Sequence, residues 1–289
     1  MKNQIYLIDK PGEMTSFDVV QRVRKAIGIR RVGHAGTLDP FATGLLIVAS
    51  GPFTRLVDLF HSYPKTYLAT FQLGISTDTD DMTGTVQTEK DTSAIHESDI
   101  VTALNQFKGE IMQQPPSISA KRVEGKRLYR VNRESVKVEA RPVKVVVHEI
   151  RSVEVELPYV TMEIECGTGT YIRSIARDLG KILGVGGAVK SLSRIAIGPY
   201  RLTAACGLTE IEPIPHLSIL PELESFSLGA DAIGELSSGK TVLLRDIFLE
   251  EELRIRVFDD YFKTMRALCR VTARGSIGSR IQPEKVFGV

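Results

Sequence analysis

Residues 33–46 read G-H-A-G-T-L-D-P-F-A-T-G-L-L. The glycines at 33, 36 and 44 permit backbone conformations that are closed to other residues, and they let a ligand approach the chain closely. Pro40 pushes Asp39 away from helical conformation, so the carboxylate of Asp39 is predicted to stand on a loop. On spacing alone, a reactive carboxylate and an Asp that hydrogen-bonds its own turn are equally good interpretations. His34, taken alone, fits a loop or core histidine better than a ligand or base.

The whole chain has the composition of an ordinary globular protein, since 43% of its 289 residues are hydrophobic and 25% are charged. That length suits one large domain followed by a small one. The longest apolar run, at 45–49, is too short to span a membrane, and the N-terminus lacks the apolar core of a signal peptide. Three isolated cysteines argue against a disulfide framework and a structural zinc site. We therefore expect a soluble cytoplasmic protein.

The net charge of +2 hides a strong segregation of charge along the chain. Residues 19–38 hold five basic residues and no acid, and residues 121–144 hold nine basic residues against three acids. Residues 202–239 show the reverse, with six acids, three prolines and no Lys or Arg. Each basic block alone fits a solvated surface, whereas the two together favour a phosphate-rich partner. The acidic stretch is predicted to be a linker before a small domain.

Hydrophobic periodicity predicts both helices and strands. A helix is predicted from Thr15 to Gly28, with Thr15 and Asp18 at the spacing of a capping box, and another over 171–183, with Thr170 near its N-cap. Strands are predicted at 45–49, 67–73, 143–147, 153–157 and 160–165, with turns between the last three. Segments 241–244, 253–258 and 265–271 alternate like strands of a compact β domain. Because helices and strands do not alternate strictly, α+β fits better than a doubly wound fold.

The sequence carries no motif for an organic cofactor or a metal. It lacks a phosphate-binding G-x-x-x-x-G-K-[ST] loop and an H-E-x-x-H pair, and its five histidines are scattered. Residues 78–84 loosely resemble a calcium-binding loop, but the glycine stands at the seventh place instead of the sixth. Cys166 is best explained as a buried structural thiol. We therefore expect neither a cofactor nor a metal.

Several blocks of the sequence resemble the motifs of the bacterial TruB-type tRNA pseudouridine synthases. The stretch at 33–46 is similar to the signature of that family. Further similar blocks are D-K-P with T-S at 9–16, K-x-Y at 65–67, T-D-T-x-D-x-x-G at 77–84, Q-P-P-x-x-S-A at 114–120 with Gly125 and Tyr129, and C-x-x-G-T-Y-I-R-S at 166–174. They follow the family's order over residues 5–200. The tail from about residue 230 is similar to the PUA-like RNA-binding domain of this family.

The resemblance implies a fold and a division into domains. Residues 1–225 would form an α+β pseudouridine-synthase catalytic fold, with a mixed, mostly antiparallel central sheet flanked by helices and loops. Residues 226–289 would form a small, β-rich, PUA-like RNA-binding domain. The family also suggests a monomer.

The resemblance further implies an isomerase that converts uridine 55 in the T arm of tRNA to pseudouridine without a cofactor. The base is detached from its sugar, rotated and rejoined through carbon. Asp39 would be the nucleophile and Arg173 the cation that pairs with it. Tyr67 would stack on the target base and shuttle the sugar proton. The substrate site would be shaped by His34, Tyr171 and Leu192.

General physical chemistry agrees with these roles. A glycosidic bond in a folded RNA loop becomes reachable once the nucleotide is flipped into a pocket. Stacking of that base on Tyr67 would be worth about 1–3 kcal/mol, and an opposing guanidinium favours the ionised form that a carboxylate nucleophile needs. Arg177, one helical turn after Arg173, would give that helix a basic face. Without the family, a surface salt bridge would be the better interpretation of Arg173.

The sequence departs from the family pattern at four positions, which are Ile118, Arg122, Ala188 and Ser193 in place of a common Tyr, Lys, His and Arg. These departures bear on RNA contacts and leave the nucleophile in place. Two other functions stay open. A non-catalytic tRNA-binding or tRNA-folding protein would use the basic blocks and the tail equally well. An N-glycosylase would use the same carboxylate and release free uracil.

Overall fold

The computed structural model describes residues 3–116, 122–123, 126–127, 141–259 and 262–287. Ile118, Gly125, Tyr129, the side chain of Arg122 and most of the basic block at 121–144 lie outside the described residues. In the described part of the chain, no helix is long and apolar enough to cross a membrane.

The α-helices of the described ranges are α1 (Ser16–Ile27), α2 (Val57–Ser62), α3 (Glu97–Asn105), α4 (Ile172–Ile182) and α5 (Ala230–Ser237). The strands up to residue 127 are β1 (Gln4–Lys10), β2 (Val32–Ala35), β3 (Thr43–Ser50), β4 (Lys65–Leu73), β5 (Ile75–Thr77), β6 (Val86–Glu89), β7 (Gly109–Gln113), β8 (Arg122–Val123) and β9 (Lys126–Arg127). The later strands are β10 (Val143–Glu156), β11 (Tyr159–Cys166), β12 (Gly187–Ile197), β13 (Tyr200–Arg201), β14 (Glu224–Ser227), β15 (Val242–Arg245), β16 (Arg254–Phe258), β17 (Met265–Gly275) and β18 (Gly278–Val286).

A large sheet forms the centre of the molecule. Within the described ranges it has nine strands, in the order β1-β3-β12-β4-β11-β10-β7, with β2 paired to β3 and β13 paired to β12. Its neighbours are antiparallel except β3 and β12, which run parallel where Thr43 faces Ser193 and Gly44 faces Arg194. The predicted mixed, mostly antiparallel sheet of an α+β fold is therefore confirmed.

Helix α1 forms as the sequence predicts, with Thr15 as its N-cap. The backbone N–H of Asp18 donates to Thr15 Oγ1 at 3.1 Å, and the N–H of Thr15 donates to the Asp18 carboxylate at 2.9 Å. Gly28 ends the helix with a φ of 66°, a conformation that glycine adopts without strain. The buried face of α1 packs on β1 and β3 through Val19 and Val23.

The opposite part of the sheet carries the main core, where Phe71 and Ile164 pack against α3 and α4. On α4, Ile175 and Leu179 are fully buried. Their spacing puts them on one face of the helix, which is why this short, otherwise polar segment docks on the sheet.

A second, five-stranded sheet follows in the order β14-β16-β17-β18-β15, with α5 beside it. This β-rich C-terminal region matches the prediction. Its residues Phe258, Met265 and Phe287 share one hydrophobic cluster with Phe53, which packs against the large sheet. The division that we propose between residues 225 and 226 falls inside β14, so a boundary just before Glu224 would keep this sheet whole.

Two local predictions are wrong. Residues 143–157 were predicted as two strands with a turn between them, but β10 runs unbroken over fourteen residues, with register shifts at Val147/Glu149 and Arg151/Glu154. Such bulges interrupt the polar–apolar alternation that would mark one long strand.

The acidic stretch 202–239 was predicted as a linker, but it contains β14 and α5. Its first part also lies along β1, where the N–H of Cys206 donates to Leu7 O and the N–H of Ile214 donates to Ile5 O, both at 2.9 Å. An edge strand leaves such groups unpaired, and this segment satisfies them.

Candidate active site

Asp39 stands on the loop between β2 and β3, as predicted. The N–H of Leu38 donates to Ser16 Oγ at 2.9 Å, which ties this loop to the start of α1. Lys10, a fully buried lysine at the end of β1, donates from Nζ to Pro40 O at 3.2 Å. Burial lowers the pKa of Lys10 to about 8. The loop is thus held from two sides.

The carboxylate of Asp39 pairs with Arg173 at the start of α4. Arg173 donates to one oxygen from Nε at 2.9 Å and to the other from Nη2 at 3.0 Å. The side chain of Arg173 is only 6% exposed, whereas that of Asp39 is 36% exposed. A surface salt bridge is therefore a wrong interpretation of Arg173. Only the backbone oxygen of Asp39, which accepts from Ala42, closes the local turn.

The block T-D-T-x-D-x-x-G at 77–84 holds the other side of Arg173. Arg173 Nη1 donates to Thr79 O at 2.9 Å and lies 3.6 Å from the buried Asp81 carboxylate. Asp81 Oδ1 in turn accepts from the hydroxyl of Thr79 at 2.8 Å and from the N–H of Thr83 at 2.9 Å. A Cβ on Gly84 would lie 2.2 Å from the Thr79 hydroxyl oxygen, so a larger residue here would displace the Thr79 side chain. The block at 77–84 therefore fixes the position of the Arg173 guanidinium.

The N-terminus of α4 is fixed by Gln113 rather than by Thr170. The structure makes Tyr171 the N-cap, and the Gln113 amide accepts from its N–H at 2.8 Å and donates to its carbonyl at 3.0 Å. Thr170 instead donates to Gly167 O at 3.0 Å. Thr170 thus lies next to the N-cap, as predicted, but the backbone of the N-cap residue is held by Gln113, a side chain distant in sequence.

Arg177 does not present an open basic face. Its guanidinium donates to Asp80 at 3.0 Å, to Asp178 at 2.9 Å and to Gln114 O at 2.9 Å. The two arginines of α4 thus serve different purposes. Arg173 faces Asp39, whereas Arg177 binds the neighbouring loops.

A cavity of about 250 Å³ opens beside Asp39. Five of the predicted site residues line it, namely Asp39, Tyr67, Tyr171, Arg173 and Leu192. His34 lies on β2, opposite Val48 of β3, and is not among the lining residues. Burial lowers the pKa of His34, and the nearby charge of Arg194 lowers it further.

Tyr67 stands on β4, between Ile164 of β11 and Arg194 of β12 in the sheet register. Its ring is partly buried against the main core. Burial raises the pKa of Tyr67, while the charge of Arg194 and a hydrogen bond from its side chain lower that pKa.

Sequence reasoning did not assign to the site three titratable side chains that line the cavity, which are His61, Lys65 and Arg194. Lys65 is buried and donates from Nζ to Tyr63 O at 2.7 Å and to Thr168 Oγ1 at 2.8 Å. Burial lowers the pKa of Lys65 to about 8. The signal for Lys65 was its place in the K-x-Y block. Arg194 gave a weaker signal, as a charged residue within a mostly apolar strand. His61 gave none.

No group of three or more His, Cys, Asp and Glu that could hold a metal occurs among the described residues. What the site does offer is a partly exposed carboxylate held by a guanidinium fork, beside an aromatic ring. Such an arrangement suits a carboxylate that attacks a substrate held in the cavity.

The model for TruB family pseudouridylate synthases (N-terminal domain) matches residues 24–172, which hold Asp39, Tyr67 and Tyr171. The chain belongs to the TruB family of pseudouridylate synthases. As a member of this family of isomerases, it shares 39% identity over 264 residues with tRNA pseudouridine synthase B of Synechococcus elongatus, covering 87% of this chain and 89% of that one. The protein of the same name from Clostridium tetani is 41% identical over 209 residues, 72% of each chain.

Solved structures share the fold of this TruB-family chain at low sequence identity. A structure of an H/ACA RNP bound to a substrate RNA containing 2′-deoxyuridine matches with a TM-score of 0.72 and 21% identity, over 99% of this chain and 85% of that one. A crystal structure of a Cbf5-Nop10-Gar1 complex matches with a TM-score of 0.71 and 23% identity, over 98% and 84%. The predicted pseudouridine-synthase fold is confirmed.

Proposed function

We propose that this TruB-family enzyme converts uridine 55 in the T arm of tRNA to pseudouridine, with Asp39 as its nucleophile and without a cofactor. The relatives from Synechococcus elongatus and Clostridium tetani are both named tRNA pseudouridine synthase B, which supports tRNA as the substrate. The position within the T arm rests on the resemblance of the sequence blocks.

The observation that carries the proposal is the bidentate pair of Arg173 and Asp39 at the wall of the cavity. The fork orients both carboxylate oxygens, and the exposed third of the Asp39 side chain leaves it within reach of a substrate. The cavity, at about 250 Å³, is smaller than the ~300–1,000 Å³ of typical small-molecule sites. It therefore suits one flipped base better than a larger ligand.

In this proposal, the flipped uracil stacks on Tyr67, which also shuttles a proton of the sugar. Tyr171 and Leu192 line the cavity and limit how the base turns before it is rejoined through carbon. His34 fills the place in the RNA that the base leaves. Flipping is required because a stacked base shields its own glycosidic bond.

A basic surface on the helix that adjoins the Asp39 loop supports an RNA substrate. The exposed residues of α1 and the turn after it include Arg22, Lys25, Arg30 and Arg31. The hydrogen bond between Ser16 and Leu38 places the start of this helix directly against the loop of Asp39. Cations on such a face bind phosphates without regard to base sequence and position the RNA.

The proposal assigns the activity to the cytoplasm and to a monomer. All three cysteines are free thiols, which fits a reducing compartment. The monomer is an expectation from the family resemblance, and analytical ultracentrifugation with and without tRNA would test it.

The deciding experiment incubates the full chain with tRNA transcribed without modifications and maps pseudouridine with a carbodiimide probe. We expect modification at uridine 55 by the wild type, and none by Asp39→Asn, which should still bind the RNA. Asp58→Asn, which changes an exposed carboxylate on α2, is the matched control and should retain full activity.

Other outcomes of this experiment reject the proposal. Modification by Asp39→Asn or Asp39→Ala at the wild-type rate would exclude Asp39 as the nucleophile. Binding of tRNA without any modification by the wild type would identify a tRNA-folding protein. Release of free uracil would identify an N-glycosylase.

A further inference from the structure

Arg194 is a buried cation at the base of the cavity. It lies on β12 and is only 1% exposed. Its Nε donates to Leu45 O at 2.7 Å, and its Nη2 donates to Gly36 O at 3.1 Å. Buried charges are usually paired with an opposite charge. Among the described residues, however, no ion pair includes Arg194, and its anchors are backbone carbonyls.

The 33–46 stretch leaves room for this side chain. A Cβ on Gly36 would lie 3.3 Å from Arg194 Nη1, and a Cβ on Gly44 would lie 2.5 Å from the Arg194 backbone oxygen. Both glycines have positive φ, of 90° and 99°. The loop that carries Asp39 and the strand that carries Arg194 are therefore built around each other.

Tyr67 is a cavity residue that this cation can influence directly. The two residues are partners in the register of β4 and β12, and both line the cavity. The guanidinium cannot move away, because Leu45 O and Gly36 O hold it in place. A fixed cation beside a phenol orients the hydroxyl and stabilises negative charge on its oxygen.

We infer that Arg194 is the positioning residue of Tyr67: held by two backbone carbonyls, it keeps the Tyr67 hydroxyl in the one orientation that the reaction uses. The inference rests on the proposed function, because it needs Tyr67 to act on the RNA. The two buried arginines of the cavity then have separate partners. Arg173 fixes the carboxylate of Asp39, and Arg194 fixes the phenol of Tyr67.

A double-mutant cycle tests this inference. Arg194→Lys retains the charge but loses the fork, and we expect it to lower kcat by about 10- to 100-fold while tRNA affinity stays within about twofold. In the Tyr67→Phe background, the same substitution should lower kcat by less than about threefold, because the group on which Arg194 acts is gone. An equal loss in both backgrounds would overturn the inference, and so would full activity of Arg194→Lys.

The control is Arg256, another buried arginine, which lies in the second sheet and does not line the cavity. It is 5% exposed and donates to the carbonyls of Leu223, Leu217 and Ile219. Arg256→Lys should therefore lower the melting temperature as Arg194→Lys does, yet leave kcat unchanged. An equal loss of kcat in Arg256→Lys would show that destabilisation alone explains the effect.

A second measurement needs no RNA, so it separates failure of the inference from failure of the proposed function. The chain has 8 Tyr and no Trp, so near-ultraviolet absorbance reports tyrosinate cleanly. Subtracting the absorbance titration of Tyr67→Phe from that of the wild type leaves the titration of Tyr67. The same subtraction is made between Arg194→Gln and the double variant Arg194→Gln with Tyr67→Phe. We expect Tyr67 to ionise at higher pH in Arg194→Gln, because the cation that favours the tyrosinate is lost. An unchanged or lower pH of ionisation would overturn the inference.

Discussion

Arg173 donates hydrogen bonds to Asp39 from two of its nitrogens and to the backbone of Thr79 from the third, so every nitrogen of its guanidinium has a defined acceptor. The three residues come from separate parts of the chain, since Arg173 is 134 residues from Asp39 and 94 from Thr79. A point charge on a flexible stem cannot reproduce this arrangement.

Arg173→Lys should therefore lower kcat strongly even though it retains the positive charge. Loss of one charge-assisted hydrogen bond corresponds to about 1.5–3 kcal/mol, or about 10- to 100-fold in rate. Single-turnover kinetics on unmodified tRNA would measure it. Arg177→Lys, on the same helix but bonded to Asp80 and Asp178, should leave kcat within about threefold. Equal losses in the two variants would argue against a specific role for the fork.

Asp81→Asn should weaken both folding and activity. Asp81 is 3% exposed, and its carboxylate accepts from Thr79 and Thr83 while facing Arg173. We expect a loss of about 1–3 kcal/mol in the free energy of unfolding, measured in urea, and a lower kcat. Asp91→Asn is the matched control, because Asp91 makes the same kind of turn with Ser93 at an exposed site. A similar loss of kcat in Asp91→Asn would contradict this account.

Gly44→Ala should be far more destabilising than Gly28→Ala, although both glycines have positive φ. A Cβ on Gly44 would lie 2.5 Å and 2.8 Å from backbone atoms of Arg194, whereas a Cβ on Gly28 would meet nothing within 4 Å. We expect at least about 3 kcal/mol for Gly44→Ala against about 1–2 kcal/mol for Gly28→Ala. Thermal melts of the two variants would measure these losses of stability. Equal losses would show that β3 and β12 can move apart at little cost in free energy.

Lys65 should make stability depend on pH in the alkaline range. Burial lowers its pKa in the folded state to about 8, from an ordinary value of 10.5. Between these values the unfolded chain binds the proton and the folded chain does not, so the free energy of unfolding rises with pH. We expect the stability of the wild type, measured relative to Lys65→Met, to increase from pH 8 to pH 10. A difference that stays level or falls would contradict the burial of a charged amine here.

The basic face of α1 should bind RNA through phosphates. Arg22→Gln together with Lys25→Gln should weaken tRNA binding and leave kcat at saturating tRNA unchanged. If each residue contacts one phosphate, the slope of log affinity against log salt should fall by roughly two in magnitude. Lys240→Gln, in the turn after α5, is a control at an exposed lysine. An unchanged slope in the double variant would place the RNA elsewhere.

Much of the fold was predictable where a local rule decides it. The capping box of Thr15 and Asp18 and the glycine at 28 set the ends of α1 without help from other segments. Long-range partners were not predictable in the same way. Gln113 holds the backbone of Tyr171 at the start of α4 from a strand distant in sequence, and the bulges of β10 hide its continuity.

The candidate site divides along the same line. Sequence blocks pointed to Asp39, Tyr67 and Arg173, and the structure places all three around one cavity. His61 and Arg194 joined them only in the structure, because β4, β12 and α2 have to pack before these side chains meet. Periodicity describes which face of a strand is buried, and it does not say which buried charge will stand beside which hydroxyl.

The cluster that holds Phe53 and Phe287 joins the two sheets of the molecule. Their rings meet edge to face at 4.7 Å between centroids, and Phe258 and Met265 of the second sheet join the same cluster. Because both sheets contribute to this one cluster, we expect the C-terminal region to keep a fixed distance from Asp39. An RNA that touched both would then need a matching distance between its anchored stem and its reacting nucleotide.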